Sequence, residues 1–160
     1  MKVLVLVVGR PAKWLAGAIA EYETRAGRYW PLEVIEVREE KSRKGTSPTA
    51  VRAAECARMM ERIPPELRRV ALTRTGDPTT SERLSRDLAR LSVESSPGVA
   101  YLIGGAHGLS DDVLRDAHAR LRLSTLTLSH DLARLVLAEQ LYRAGTIMRN
   151  EPYHKAIRRE

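Results

Sequence analysis

The stretch Val99-Ala100-Tyr101-Leu102-Ile103-Gly104-Gly105-Ala106-His107-Gly108-Leu109-Ser110 changes character twice. Val99 to Ile103 is an unbroken apolar run, which reads as a strand buried on both faces. Gly104, Gly105 and Gly108 then free the backbone for a tight turn or for close approach to a ligand. Ser110 offers a hydroxyl suited to cap a short helix running to about Ala119. Strand, glycine turn and helix in that order form the repeating unit of an α/β domain. Taken alone, the turn is equally a plain strand-to-helix connection. Neither a G-x-G-x-x-G nor a G-x-x-x-x-G-K-[ST] pattern occurs in the chain.

The alternation continues in both directions. Lys2 to Val8 is a buried strand closed by Gly9, and Ala12 to Arg28 is a helix with Trp14, Leu15, Ala18, Ile19 and Tyr22 on one face. Leu32 to Arg38 reads as a less buried strand, and Glu39 to Ser47 as a basic loop. Ser47-Pro48 opens a helix that stops at Pro64-Pro65. Arg69 to Arg74 is a third strand broken by Gly76-Asp77-Pro78, and Thr80 to Leu91 is a helix on Leu84, Leu88 and Leu91. Leu121 to Leu123 is a short fifth strand. Ser129 to Met148 is the last helix, with Leu132, Leu135, Val136, Leu141 and Tyr142 as its buried stripe. The expectation is one α/β domain over residues 1–160 with a mainly parallel five-stranded sheet. Its ligand site belongs at the C-terminal ends of the strands.

Composition narrows the function classes. Aromatic residues are 4% of the chain and Phe is absent, which disfavours a protein that stacks single-stranded bases on rings. Cys56 is the one cysteine, so an intrachain disulfide and a multi-cysteine zinc site are excluded. The histidines lack ligand-like spacing, and no metal is expected. The longest apolar run, Val3 to Val8, is far short of the ~20 residues of a membrane span. It also lacks the features of a signal peptide. The expected setting is the cytoplasm, with no membrane partner. The net charge is +7, gathered at Lys41, Arg43, Lys44 and Arg52 and again at Arg149, Lys155, Arg158 and Arg159. A nucleic-acid partner fits these clusters, and so does a solvated Arg-rich surface.

Four motifs in order carry a resemblance. They are YLIGGAHGLS (Tyr101 to Ser110), LSTLTLSH (Leu123 to His130), LVLAEQLYRA (Leu135 to Ala144) and NEPYH (Asn150 to His154). Together they resemble the ribosomal RNA large subunit methyltransferase H family of the SPOUT superfamily. The likeness is strongest from Tyr101 to His154. It implies a deep C-terminal trefoil knot, about residues 100–150, followed by a tail over 149–160. It implies S-adenosylmethionine as cofactor and N3 of a pseudouridine in 23S ribosomal RNA, within the ribosome, as acceptor. It also implies a homodimer whose tail completes the partner's site.

Carried over by the resemblance, cofactor contacts fall on Leu72, Gly105, Ser124, Thr125, Leu126, Thr127, Leu128 and Ser129. Tyr153 and His154 are expected at the target base, with Arg134 nearby to stabilise a developing anion and His130 as a second candidate base. Lys41, Arg43, Lys44, Arg52, Arg149, Lys155, Arg158 and Arg159 are expected to grip phosphates. The family's usual IGGPEG is here IGGAHG, and its LTLPH is LTLSH with Ser129 in place of Pro. The alternatives are a non-catalytic RNA-binding or ribosome-associated factor on the same fold and a SPOUT enzyme acting on transfer RNA.

Overall fold

Strand β1 (Lys2–Val8) organises the sheet. Val3, Val5 and Val7 pack into one core cluster, while Leu4, Leu6 and Val8 pack into another. A strand apolar on both faces can be satisfied only between two layers of helices. The computed structural model describes residues 1–155, and it has that three-layer architecture. The expected phosphate contacts Arg158 and Arg159 lie outside the described residues.

The chain continues through α1 (Lys13–Ala26), β2 (Leu32–Val37), α2 (Pro48–Met60), β3 (Arg68–Pro78), α3 (Ser81–Val93) and β4 (Gly98–Ile103). It ends with α4 (Asp111–Asp116), β5 (Ala119–Arg122), α5 (His130–Met148) and a 3-10 turn at Pro152–Lys155. The five-stranded sheet has the order β2-β1-β4-β3-β5, and every pairing is parallel. Helices α1, α3 and α5 cover one face, through Ala26, Leu84, Leu88, Leu137 and Leu141. Helices α2 and α4 cover the other, through Cys56, Met59 and Val113. Side-chain hydroxyls cap four of the helices: Ser47, Thr80, Ser110 and Ser129 each accept a backbone N–H.

Strand β3 departs from the sequence expectation. Gly76-Asp77-Pro78 does not end it. The strand arches outward after Leu72 and returns, so that Leu121 of β5 pairs with Leu72 and again with Asp77. Gly76 is what lets the arch close. A Cβ at this position would lie 2.7 Å from both the backbone nitrogen and the carbonyl carbon of Leu121. Strand β5 also starts earlier than expected, and α4 stops at Asp116. The His118 N–H donates to the Arg69 carbonyl at 2.9 Å, and the Arg69 N–H donates to His118 Nδ1 at 3.0 Å. This reciprocal pair draws the chain into the sheet.

Two helix faces are rotated from the expected ones. Trp14 is 79% exposed and Ala18 is exposed, while Leu15, Ile19 and Ala26 face inward. On α5 the buried positions are Arg134, Leu137, Ala138, Leu141, Ala144, Gly145 and Thr146, whereas Leu132 is exposed. Helix α5 is wedged against both α1 and α3, and its small residues face those neighbours. Ser85 Oγ donates to the Ala144 carbonyl at 3.1 Å, and Trp30 Nε1 donates to the Leu141 carbonyl at 2.9 Å.

Substituting Gly76→Ala tests the arch. The added methyl meets β5 backbone, which cannot rotate away. The expected cost is about 1–3 kcal/mol, read as a lower urea midpoint with an unchanged denaturant slope. An unchanged midpoint would mean that the crossing is looser than described.

Candidate active site

The C-terminal ends of β3, β4 and β5 converge on one side of the sheet. Between them lies a cavity of about 480 Å³. Leu72 to Thr75 form one wall, Ile103 to Leu109 a second, and Leu121 to Ser124 with Leu126 to Leu128 a third. Arg52 enters from α2, and His130 and Ala133 from the first turn of α5.

The glycine turn is tight because it folds on itself. Gly108 N–H donates to the Gly105 carbonyl at 3.0 Å, and Gly108 adopts φ +78°, the left-handed region that favours glycine. A Cβ at Gly104 would stand 2.5 Å from the Gly108 carbonyl carbon. Beneath the turn sits the buried Glu55. Its Oε1 accepts the Glu40 N–H at 3.0 Å, and its Oε2 lies against Gly105. The Ser110 N–H meets the buried Cys56 sulfur at 3.2 Å. The turn is therefore seated on α2 as well as on β4.

Of the expected cofactor contacts, Leu72, Gly105, Ser124, Leu126, Thr127 and Leu128 line this one cavity. Thr125 and Ser129 do not. Ser129 is occupied as the N-cap of α5, which answers to its place in LTLSH. Of the expected catalytic group, only His130 lines the cavity, with Nε2 3.3 Å from Asp131 Oδ1. His107, Arg74 and Arg122 also line it and were not singled out as site residues. Arg122 reads in the sequence as an ordinary strand residue. Its position at the C-terminal end of a strand is the signal that could have marked it.

Arg134 sits elsewhere, and its role differs from the expected one. Its side chain is 7% exposed and joins three elements. Nε donates to Glu23 Oε1 of α1 at 2.7 Å, and Nη1 donates to Glu36 Oε1 of β2 at 2.8 Å. Burial alone would lower the guanidinium pKa, but the bonds to Glu23 and Glu36 raise it overall. A guanidinium committed to two carboxylates is not free for an anion in the cavity. Asp131, one turn earlier, accepts the Ala12 N–H at 3.0 Å and ties the starts of α1 and α5 together.

The tail folds back on its own helix. Asn150, at φ +54°, reverses the chain, and the Glu151 N–H closes the turn on the Thr146 carbonyl at 2.9 Å. Tyr29 then donates to the Glu151 carboxylate. Tyr153 donates to Glu139 Oε1 at 2.9 Å, and its ring centroid lies 4.5 Å from that of Tyr142. Burial, reinforced by Tyr22 and Glu139, pushes the Tyr153 phenol up, so it carries its proton at neutral pH. His154 is half-buried, with Nδ1 shielded and unpartnered among the described residues. Neither Tyr153 nor His154 lines the cavity of its own chain.

The basic positions divide in two. Lys41, Arg43 and Lys44 are exposed on the loop between β2 and α2, as are Arg149 and Lys155 near the tail. Arg149 lies over the Tyr29 ring at 4.6 Å. Arg52 is half-buried and faces the cavity instead.

Arg134→Ala should leave Glu23 without its buried partner and Glu36 with only the exposed Arg10, and cost about 3 kcal/mol in denaturant unfolding. A loss under about 1 kcal/mol would mean that solvent already screens the group. Tyr29 gives a pH signature. Its bond to Glu151, with burial, pushes its pKa from 10.0 up to about 12. Its contribution is complete below pH 10 and is lost as pH rises through about 12. The melting-temperature gap between wild type and Tyr29→Phe should therefore be flat at neutral pH and narrow across that window.

Comparison with known proteins fits this geometry. A family model described as "Predicted SPOUT methyltransferase" matches residues 1–154. The ribosomal RNA large subunit methyltransferase H of Gemmatimonas aurantiaca is 49% identical over 156 residues, covering 97% of this chain and 100% of that one. The protein of the same name from Syntrophotalea carbinolica is 44% identical, covering 96% of this chain and 99% of its own. Among solved structures, a probable methyltransferase from Bordetella pertussis Tohama I shares the fold. Its TM-score is 0.60 at 16% identity, over 90% of this chain and 96% of that one. With its five parallel strands, its glycine turn and relatives matched end to end, the chain belongs to the SPOUT methyltransferases, in the ribosomal RNA large subunit methyltransferase H family.

Proposed function

We propose that this chain methylates large-subunit ribosomal RNA, with S-adenosylmethionine as donor and N3 of a pseudouridine in 23S ribosomal RNA as acceptor. It acts as a cytoplasmic homodimer on the ribosome. The observation that carries this reading is the cavity walled by three strand ends and the Ser124 to Leu128 segment. Its volume falls within the ~300–1,000 Å³ of small-molecule sites. Leu72, Ile103, Leu109, Leu121, Leu126 and Leu128 offer flat apolar faces for a purine. The glycine turn offers backbone polar groups at close range. These residues fit S-adenosylmethionine, which supplies an activated methyl group when bound. Leu72, Gly105, Ser124 and the span from Leu126 to Leu128 would hold it.

The chain's own contribution is orientation and proton removal. Holding donor and acceptor in line contributes much of the acceleration in such transfers. The N3 proton must also leave, and His130, on the cavity wall, is a candidate to accept it. Tyr153, its hydroxyl held by Glu139, is a candidate to face the base through its ring, in a site completed by the tail of a second copy. His154 is the corresponding candidate base from that tail. Exposed Trp14 and Leu132 support such pairing, since the Ala12–Asp131 bond brings the starts of their helices together. The double pairing of Leu121 with Leu72 and Asp77 supports a threaded, knotted C-terminal half.

The test is labelled-methyl transfer to ribosomes that lack the modification, followed by nucleoside mass spectrometry of the RNA. One methyl group on a 23S pseudouridine is expected. Transfer to transfer RNA alone, or no calorimetric signal with S-adenosylhomocysteine, would overturn the reading. His130→Ala should lower kcat about 10²-fold at pH 7 with cofactor affinity unchanged. The deficit should shrink at higher pH, where the base ionises unaided. A uniform deficit across pH would move the proton-accepting role away from His130.

A further inference from the structure

The cavity contains an excess of positive charge that cofactor binding does not explain. Arg52, Arg74 and Arg122 line it, and among its described lining residues there is no Asp or Glu. Several arginines that are at least half-buried elsewhere are matched: Arg58 with Glu40, Arg69 with Asp116, Arg134 with Glu23 and Glu36, and Arg143 with Glu139. The side chains of the three cavity arginines make no hydrogen bond or ion pair with a described residue. Arg52 Nε is shielded from solvent and has no hydrogen-bond partner among the described residues. The three come from separate elements, α2, the β3 arch and the end of β5, so their convergence is a product of the fold.

Unpaired guanidiniums around a concave, part-apolar site repel one another and attract an anion. The methyl donor is a poor match for the set. It carries one carboxylate against a sulfonium and an ammonium, so it is a net cation, and one guanidinium fork satisfies its carboxylate. A phosphodiester is a better match, because it presents two free oxygens, a full negative charge and no cation. We propose that Arg52, Arg74 and Arg122 form a phosphate subsite that holds the RNA backbone beside the target nucleotide. The inference rests on the methyl-transfer reading for its geometry. It goes further in giving the cavity an anion-binding half contributed by β3, β5 and α2. The subsite would position the base and raise affinity for RNA without touching the methyl donor.

The probe is uridine 3′,5′-bisphosphate, titrated by calorimetry into protein saturated with S-adenosylhomocysteine, with uridine as the phosphate-free control. Wild type should bind the bisphosphate, and uridine should bind at least about tenfold more weakly. An Arg74→Ala, Arg122→Ser double variant should lose about tenfold in bisphosphate affinity while S-adenosylhomocysteine affinity stays within about twofold. On ribosomes its KM should rise about tenfold at similar kcat. The slope of log kcat/KM against log salt should fall by about one. If the double variant melts early, Arg122→Lys is the alternative, keeping charge but losing the fork, with an intermediate loss. Equal bisphosphate binding by wild type and variant would overturn the proposal. So would a parallel loss of S-adenosylhomocysteine, which would assign the arginines to the donor's carboxylate. Arginine-dependent bisphosphate binding without methyl transfer would instead leave the subsite standing and remove the methyl-transfer reading.

Discussion

At Gly76 the backbone of the β3 arch rests directly on the backbone of β5 at Leu121, with no room for a side chain between them. That contact decides where everything near the cavity lies. It fixes the end of β5, so Arg122 and Leu123 emerge at the mouth and Ser124 to Leu128 form the third wall. It also holds Thr73 to Thr75 out of the sheet, facing the glycine turn across the cavity. The opposite wall is set from below, where Glu55 and Cys56 of α2 support the turn from Gly104 to Ser110.

Charge is distributed in this molecule by function. Where a guanidinium must hold helices together it is buried and paired, as Arg134 is between α1 and β2 and Arg143 is beside Glu139 and Tyr153. Where it faces the cavity it makes no ion pair with a described residue, and the described lining holds no Asp or Glu. The exposed Lys41, Arg43 and Lys44 form a separate group on the β2–α2 loop. That loop is anchored because Glu40 contributes both its N–H to Glu55 and its carboxylate to Arg58. The 27 Lys and Arg residues thus include a structural, paired fraction and a fraction without an acid partner that is available to an anion.

Much of the fold was legible because its signals are local. The apolar runs of β1 and β4, the hydroxyls at Ser47, Thr80, Ser110 and Ser129, and the glycine turn all act within a few residues of themselves. The failures share a cause. Gly76-Asp77-Pro78 reads as a strand end because nothing nearby reports that β5 will pair with it. Trp14 looks like a core residue because helical spacing gives a face but not which face is covered. Arg134 looks free to stabilise an anion because its carboxylates lie 111 and 98 residues away. The tail's turn was readable in retrospect, since Asn150 is suited to a left-handed position. Its docking on Glu139 and Tyr142 was not.

The arch over Leu121 also orders events in time. A strand gripped on two sides by one earlier segment cannot be seated until that segment has taken its shape. Strands β1 to β4 can assemble from Met1 to Ile103, but β5 and α5 must then find partners as distant as Ala12. Contacts of such long sequence separation form slowly. As the chain is synthesised, four of its five strands emerge before the segments that complete the third wall of the cavity. The site that is to act on an RNA machine is thus the last part of the molecule to be completed.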